Sequence, residues 1–138
     1  MKQSCSRITN ENIQRLFDWY IEGDFLVNRK YQRKLVWTVD EKQKFINSIL
    51  LDYPVPLFLL ATASEGKYEI IDGMQRLNAI FSFIKGEFSV EHNGIKGYFD
   101  LQTMAATKEL LDNHKLTQSM PLLDRSVCAQ FVNYQLPL

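Results

Sequence analysis

At 138 residues, 46% hydrophobic and 12% aromatic, the chain is long enough for one hydrophobic core and too apolar to stay disordered. Sixteen basic residues balance sixteen acidic ones, which excludes a global electrostatic pull toward nucleic acid; any anion must be held by a local patch. Apolar runs fall short of a membrane span and the N-terminus lacks a signal-peptide core, so a cytoplasmic protein is expected. Cys5 and Cys128 lack metal-type spacing and fit idle thiols in a reducing compartment.

In chain order, Asn10 to Glu22 predicts a helix with Thr9 as cap, Gly23 as stop, and Ile13, Leu16, Phe17 and Tyr20 on its apolar face. Phe25-Leu26-Val27 fits a short strand. Arg29, Lys30, Arg33 and Lys34 then form the densest positive patch, interleaved with Tyr31 and followed by Trp37. Such a patch can grip phosphates and stack on bases, or can be a solvated loop whose aromatics plug the core; Trp37 is expected to be buried. Thr38-Val39-Asp40-Glu41 reads as a capping box. The helix after it should bury Phe45, Ile46, Ile49 and Leu50. Pro54 and Pro56 force an extended connection into a buried strand, Leu57 to Ala61. Ser64-Glu65-Gly66 turns the chain into a return strand, Lys67 to Ile71.

That strand runs into the stretch around which the rest is organised, Asp72-Gly73-Met74-Gln75-Arg76-Leu77. Met74, Leu77, Ile80, Phe81 and Ile84 recur at helical spacing, which leaves Gln75, Arg76 and Asn78 off the apolar stripe near the helix start. Unpaired N–H groups, the positive end of the macrodipole and the Arg76 fork make an anion site there, with phosphate the natural anion. Asp72 beside it can hold a metal ion or orient a water. The same residues also fit a plainer role: Asp72 as helix cap, Gly73 as turn, Gln75 and Arg76 as solvated polar positions.

Further on, Phe88 to Val90 and Ile95 to Phe99 are expected as strands about the turn His92-Asn93-Gly94. A helix is expected over Met104 to Leu111, and another opening at Pro121 and reaching Val132. Tyr134 to Leu138 begins like a strand. The whole is expected to be a single domain over residues 1–138, the N-terminal piece of a longer protein.

Tyr31-Gln32-Arg33 with Val36-Trp37, the helix ending Phe45 to Leu50, Pro54-Val55-Pro56, Ile71 to Leu77 and Phe131 to Pro137 stand in an order that resembles the N-terminal domain of GmrSD-type modification-dependent restriction systems. The resemblance runs from about Leu26 to the C-terminus. It implies an α/β domain, with a small mixed sheet flanked by helices, of ParB/sulfiredoxin-like type. It also implies a D-G-Q-Q-R motif associated with nucleoside triphosphate hydrolysis, and, in longer relatives, a C-terminal HNH nuclease domain acting against modified DNA. Asp72, Gly73, Gln75 and Arg76 fall on the motif; Gln32, Arg33 and Trp37 fall on the upstream signature. Met74 departs from the family's Gln, and an HNH segment is missing from this chain.

Two functions follow as expectations. In the first, Asp72, Gln75 and Arg76 are catalytic, Arg33, Gln32, Gly73 and Arg76 hold a nucleoside triphosphate, and Asp72 holds Mg²⁺. In the second, the domain is a DNA-binding or scaffold module without turnover, touching DNA through Arg29, Lys30, Arg33 and Lys34.

Overall fold

In the computed structural model the described residues are 10–27, 36–62 and 66–138. In chain order they form β1 (Asn10–Asn12), α1 (Ile13–Ile21), β2 (Phe25–Val27), α2 (Val39–Leu50), β3 (Leu59–Thr62) and β4 (Tyr68–Asp72). These are followed by α3 (Met74–Ile84), β5 (Val90–His92), β6 (Ile95–Gly97), a 3-10 turn (Leu101–Thr103), α4 (Ala105–Asp112), α5 (Arg125–Val132) and β7 (Gln135–Pro137). The result is a small mixed α/β domain whose short sheets are flanked by helices.

The three-stranded sheet has the order β2-β4-β3. β2 runs parallel to β4, with Val27 opposite Ile70, and β3 runs antiparallel to it, with Leu59 opposite Asp72. β2 and β4 therefore deliver the chain to the same end of the sheet, where α3 begins. β1 and β7 form a separate antiparallel pair, and β5 and β6 a hairpin.

α3 is the central helix. Its sequence is apolar almost all round, and Leu77, Ala79, Ile80, Phe81, Ser82, Phe83 and Ile84 are all buried, which is more than the single stripe that periodicity suggests. Phe83 packs edge-on against Phe131 at 5.1 Å and Phe99 at 5.9 Å, joining α3 to α5 and to the segment that follows β6. On its other side Phe81 stacks on Tyr20 at 4.3 Å and meets Phe17 at 6.1 Å, joining α3 to α1.

Several expected elements form as the local chemistry dictates. The α2 capping box is complete: Glu41 N–H donates to Thr38 Oγ1 at 3.2 Å, and Thr38 N–H donates to Glu41 Oε1 at 2.8 Å. Asn93 and Gly94 both take positive φ (53° and 78°) and close the β5–β6 hairpin. Cys128 is buried, and burial pushes its thiol above the ordinary value, so it stays protonated and inert. Cys5 and Thr9 lie outside the described residues.

Others differ, each for a long-range reason. Residues Asn10–Asn12 are a strand and not the first helical turn, because β7 pairs with them and Tyr134 O takes the Ile13 N–H at 3.2 Å. Asn12 then caps α1 by accepting from Arg15 N–H at 2.8 Å. The expected buried strand Leu57 to Ala61 is shifted to Leu59–Thr62 and sits at the sheet edge, with Leu59 49% exposed. Leu57 and Phe58 are used by the corner described below. Pro121 does not open α5: its carbonyl accepts from Tyr98 N–H at 2.8 Å, Leu122 bridges Tyr98, and the helix starts at Arg125. Trp37 is half-buried, edge-on to Phe45 at 5.7 Å, and not a core plug.

Removal of the Thr38 hydroxyl frees one donor of the α2 capping box. Thr38→Ala is expected to lower unfolding stability by about 1 kcal/mol, read from urea denaturation with an unchanged m-value.

Candidate functional site

The corner between β4 and α3 is built on a glycine. Gly73 has φ 105°, a backbone conformation closed to most side chains. An added Cβ would also lie 2.5 Å from Phe58 Cδ2, well inside contact distance. The corner thus needs Gly73 both for its turn and for the approach of Phe58, which is fully buried. Gly73, not Asp72, is the N-cap of α3, and it has no side chain with which to cap that first turn. Asp72 ends β4 with its side chain 73% exposed, so the capping role open to it in sequence is not the one it plays.

Arg76 departs most from expectation. Its side chain is only 12% exposed and does not stand out in solvent. The guanidinium carbon lies 4.6 Å from the centre of the Phe58 ring, Nη2 donates to Leu57 O at 3.3 Å, and Nη2 stands 3.7 Å from Asp72 Oδ2. Nη1 is buried and has no hydrogen-bond partner among the described residues. Burial lowers the Arg76 pKa from its ordinary value, and the Asp72 charge offsets part of that fall. The side chain is therefore an anchored cation with one unmet donor. Gly73 is itself covered by Phe58, so the bend is not the wide, open cradle of backbone amides that its sequence suggests.

Gln75 ties a distant segment to the corner: its Oε1 accepts from Trp37 N–H at 3.2 Å. The chain thus leaves β2 at Val27, beside Ile70, and is held again at Trp37, on the first turn of α3. Met74, where the family motif has Gln, is partly buried and packs against the core, the place of a flexible apolar filler. Gln32, Arg33, Arg29, Lys30 and Lys34 lie outside the described residues. The structure therefore brings together Asp72, Gly73, Gln75 and Arg76. It adds two residues that sequence reasoning missed, Phe58 and Leu57, whose signal was only their closeness to Pro56.

Elsewhere, a polar groove of about 440 Å³ follows the outer side of α1, lined by Asn12, Gln14, Arg15, Asp18, Trp19 and Glu22. Its guanidinium is already placed 3.7 Å from Glu11 and over Trp19. Among the described residues no group of three or more His, Cys, Asp or Glu could hold a metal ion, and no helix is long and apolar enough to cross a membrane.

Fold and corner define a small mixed α/β domain with a strand–glycine–helix junction that seats an arginine. A family model described as the GmrSD restriction endonuclease, N-terminal domain, matches residues 5–135, and the chain belongs to that family. A comparison with curated proteins and one with solved structures each found no match.

Gly73→Ala combines positive φ with a steric clash. It is expected to cost about 2–4 kcal/mol in unfolding stability. Gly66→Ala, at φ 74° with open space around it, should cost only about 1 kcal/mol. Equal losses in the two melts would remove the Phe58 contact as a reason for the glycine.

Proposed function

We propose that the Gly73 corner binds the phosphates of a nucleoside triphosphate together with Mg²⁺, and that the domain hydrolyses it within a restriction or phage-defence system. In this account the domain is a ParB/sulfiredoxin-like nucleotide-binding fold. Support comes chiefly from one observation: a buried guanidinium whose Nη1 has no hydrogen-bond partner among the described residues, beside a helix start whose N-cap, Gly73, has no side chain to cap it. The one carboxylate beside that cation is 3.7 Å away and exposed, so a phosphate at the helix start would add to its neutralisation, and it would reach Nη1 once the side chains over that atom shift.

The roles follow from position. Arg76 holds the phosphates with the first N–H groups of α3. Asp72, exposed and a hard oxygen donor, suits Mg²⁺ shared with phosphate oxygens, and otherwise orients the attacking water. Bound Mg²⁺ would neutralise charge on the transferring phosphoryl group. Gln75 has its Oε1 on Trp37, so its role here is to hold the 36–38 segment to the site rather than to orient water. Arg33 and Gln32 enter this account as a second clamp through the family resemblance alone. The nuclease activity of such a system would belong to another domain.

The test is a thermal-shift panel of the four common triphosphates, with and without Mg²⁺, on wild type and Arg76→Met. At a hundredfold excess over Kd one triphosphate should stabilise the wild type by about 2.7 kcal/mol. Arg76→Met should stay folded and lose that shift. Phosphate release should fall in Asp72→Ala. No shift with any triphosphate, or the same shift in Arg76→Met, contradicts the proposal; equal release by Asp72→Ala removes Asp72 from the mechanism.

A further inference from the structure

β3 is an edge strand: the sheet has the order β2-β4-β3, and among the described residues no strand pairs with its outer side. An open edge presents a row of N–H and C=O groups to any extended chain, and proteins commonly block it with Lys, Pro or a bulge in the edge strand itself. β3 has none of these. Its sequence is Leu59-Leu60-Ala61-Thr62, and the register irregularity at Leu59/Leu60 puts the extra residue, Ile71, on β4. The chain leading into β3 is open and apolar as well. Phe58 is fully buried, while Leu57 and Leu59 on either side of it are 44% and 49% exposed, so the two leucines share the outward face. Leu51 and Tyr53, just upstream, are each more than half exposed. Tyr53 to Thr62 are ten residues without a charge, in a chain that is 23% charged.

We propose that this edge docks on a second copy of the same chain, β3 against β3, as a weak two-fold dimer. The occupant follows from two features of the strip. An open edge takes an extended strand that has an open edge of its own, and β3 is such a strand; run antiparallel about a two-fold axis, its backbone groups and leucines meet their own copies. The strip also has no charge with which to select a charged partner, and the chain has no net charge, so its copies do not repel one another. Asp72, the exposed carboxylate opposite Leu59, lies one strand further in. Its two copies stand three strand spacings apart in the dimer, ~14 Å, beyond the screening length at physiological salt. Size sets the strength. The strip offers a few hundred Å² of apolar surface, near the limit of what a monomer leaves open, against about 800 Å² per partner in a standard interface. The dimer is therefore held in the micromolar range, and it joins the two sheets into one of six strands.

The experiment is sedimentation velocity of the 138-residue chain, without nucleotide, from low to high micromolar concentration. Wild type should pass from monomer to dimer over that range. Leu59→Lys puts a charge on the edge at a half-exposed position and should weaken the dimer about tenfold or more. Thr62→Lys, at the exposed far end of β3, carries the same test should Leu59→Lys fail to fold. Met120→Lys, at an apolar residue 67% exposed outside the strip, should dimerise like wild type. Amide hydrogen exchange should show protection of Leu60 to Thr62 that grows with concentration. A wild type that stays monomeric to high micromolar concentration overturns the proposal. So does a dimer that both edge lysines leave intact, or one that Met120→Lys breaks in their place.

Discussion

Everything at this corner depends on the phenyl ring of Phe58. It is fully buried, lies against the bare backbone of Gly73, and carries the Arg76 guanidinium on its ring. The ring's quadrupole favours a cation there, and removal from water strengthens that attraction. The same contact excludes any side chain at position 73 and so fixes the turn into α3. Phe58 is itself held by its N–H, which donates to Pro137 O at 3.0 Å; the Tyr134 hydroxyl donates to Tyr53 O just upstream. The C-terminal strand thereby positions the ring that positions the arginine.

Much of this fold could be read from local signals. The Thr38–Glu41 box, the Asn93-Gly94 turn, the return strand into Asp72 and the span of α3 each follow from a few adjacent residues, because capping, turn geometry and helical periodicity are short-range. What the sequence concealed depended on distant partners. β1 is a strand only because β7 pairs with it. β3 is exposed because it sits at the sheet edge, and strand propensity carries no information on edge or centre. Arg76 falls off the apolar stripe by periodicity, yet a long guanidinium arm can lie back over the helix start and find an aromatic ring 18 residues earlier. Helical spacing shows where a side chain leaves the backbone, and a long amphipathic chain need not end there.

The motif residues were legible as a group, and their division of labour was not. Spacing alone treats Asp72, Gln75 and Arg76 as three equivalent polar positions. In the structure one is exposed, one bonds the Trp37 backbone, and one is anchored inside. The chain belongs to the GmrSD restriction endonuclease N-terminal domain family, and the family match, over residues 5–135, begins well before Leu26, where the resemblance read from the motifs begins. Met74 fits the same division: packed against the core, it does the work of side-chain volume at a position turned toward the protein interior.

The central claim is that a buried guanidinium at the Gly73 turn has a donor left for phosphate. NMR follows this directly, through the Arg76 Nε–Hε resonance and the amides of Gly73 to Leu77 during titration with pyrophosphate and Mg²⁺. The account predicts saturable shifts centred on those groups, with Arg76 among the largest. Saturation without movement of Arg76, or shifts confined to other parts of the chain, would contradict it.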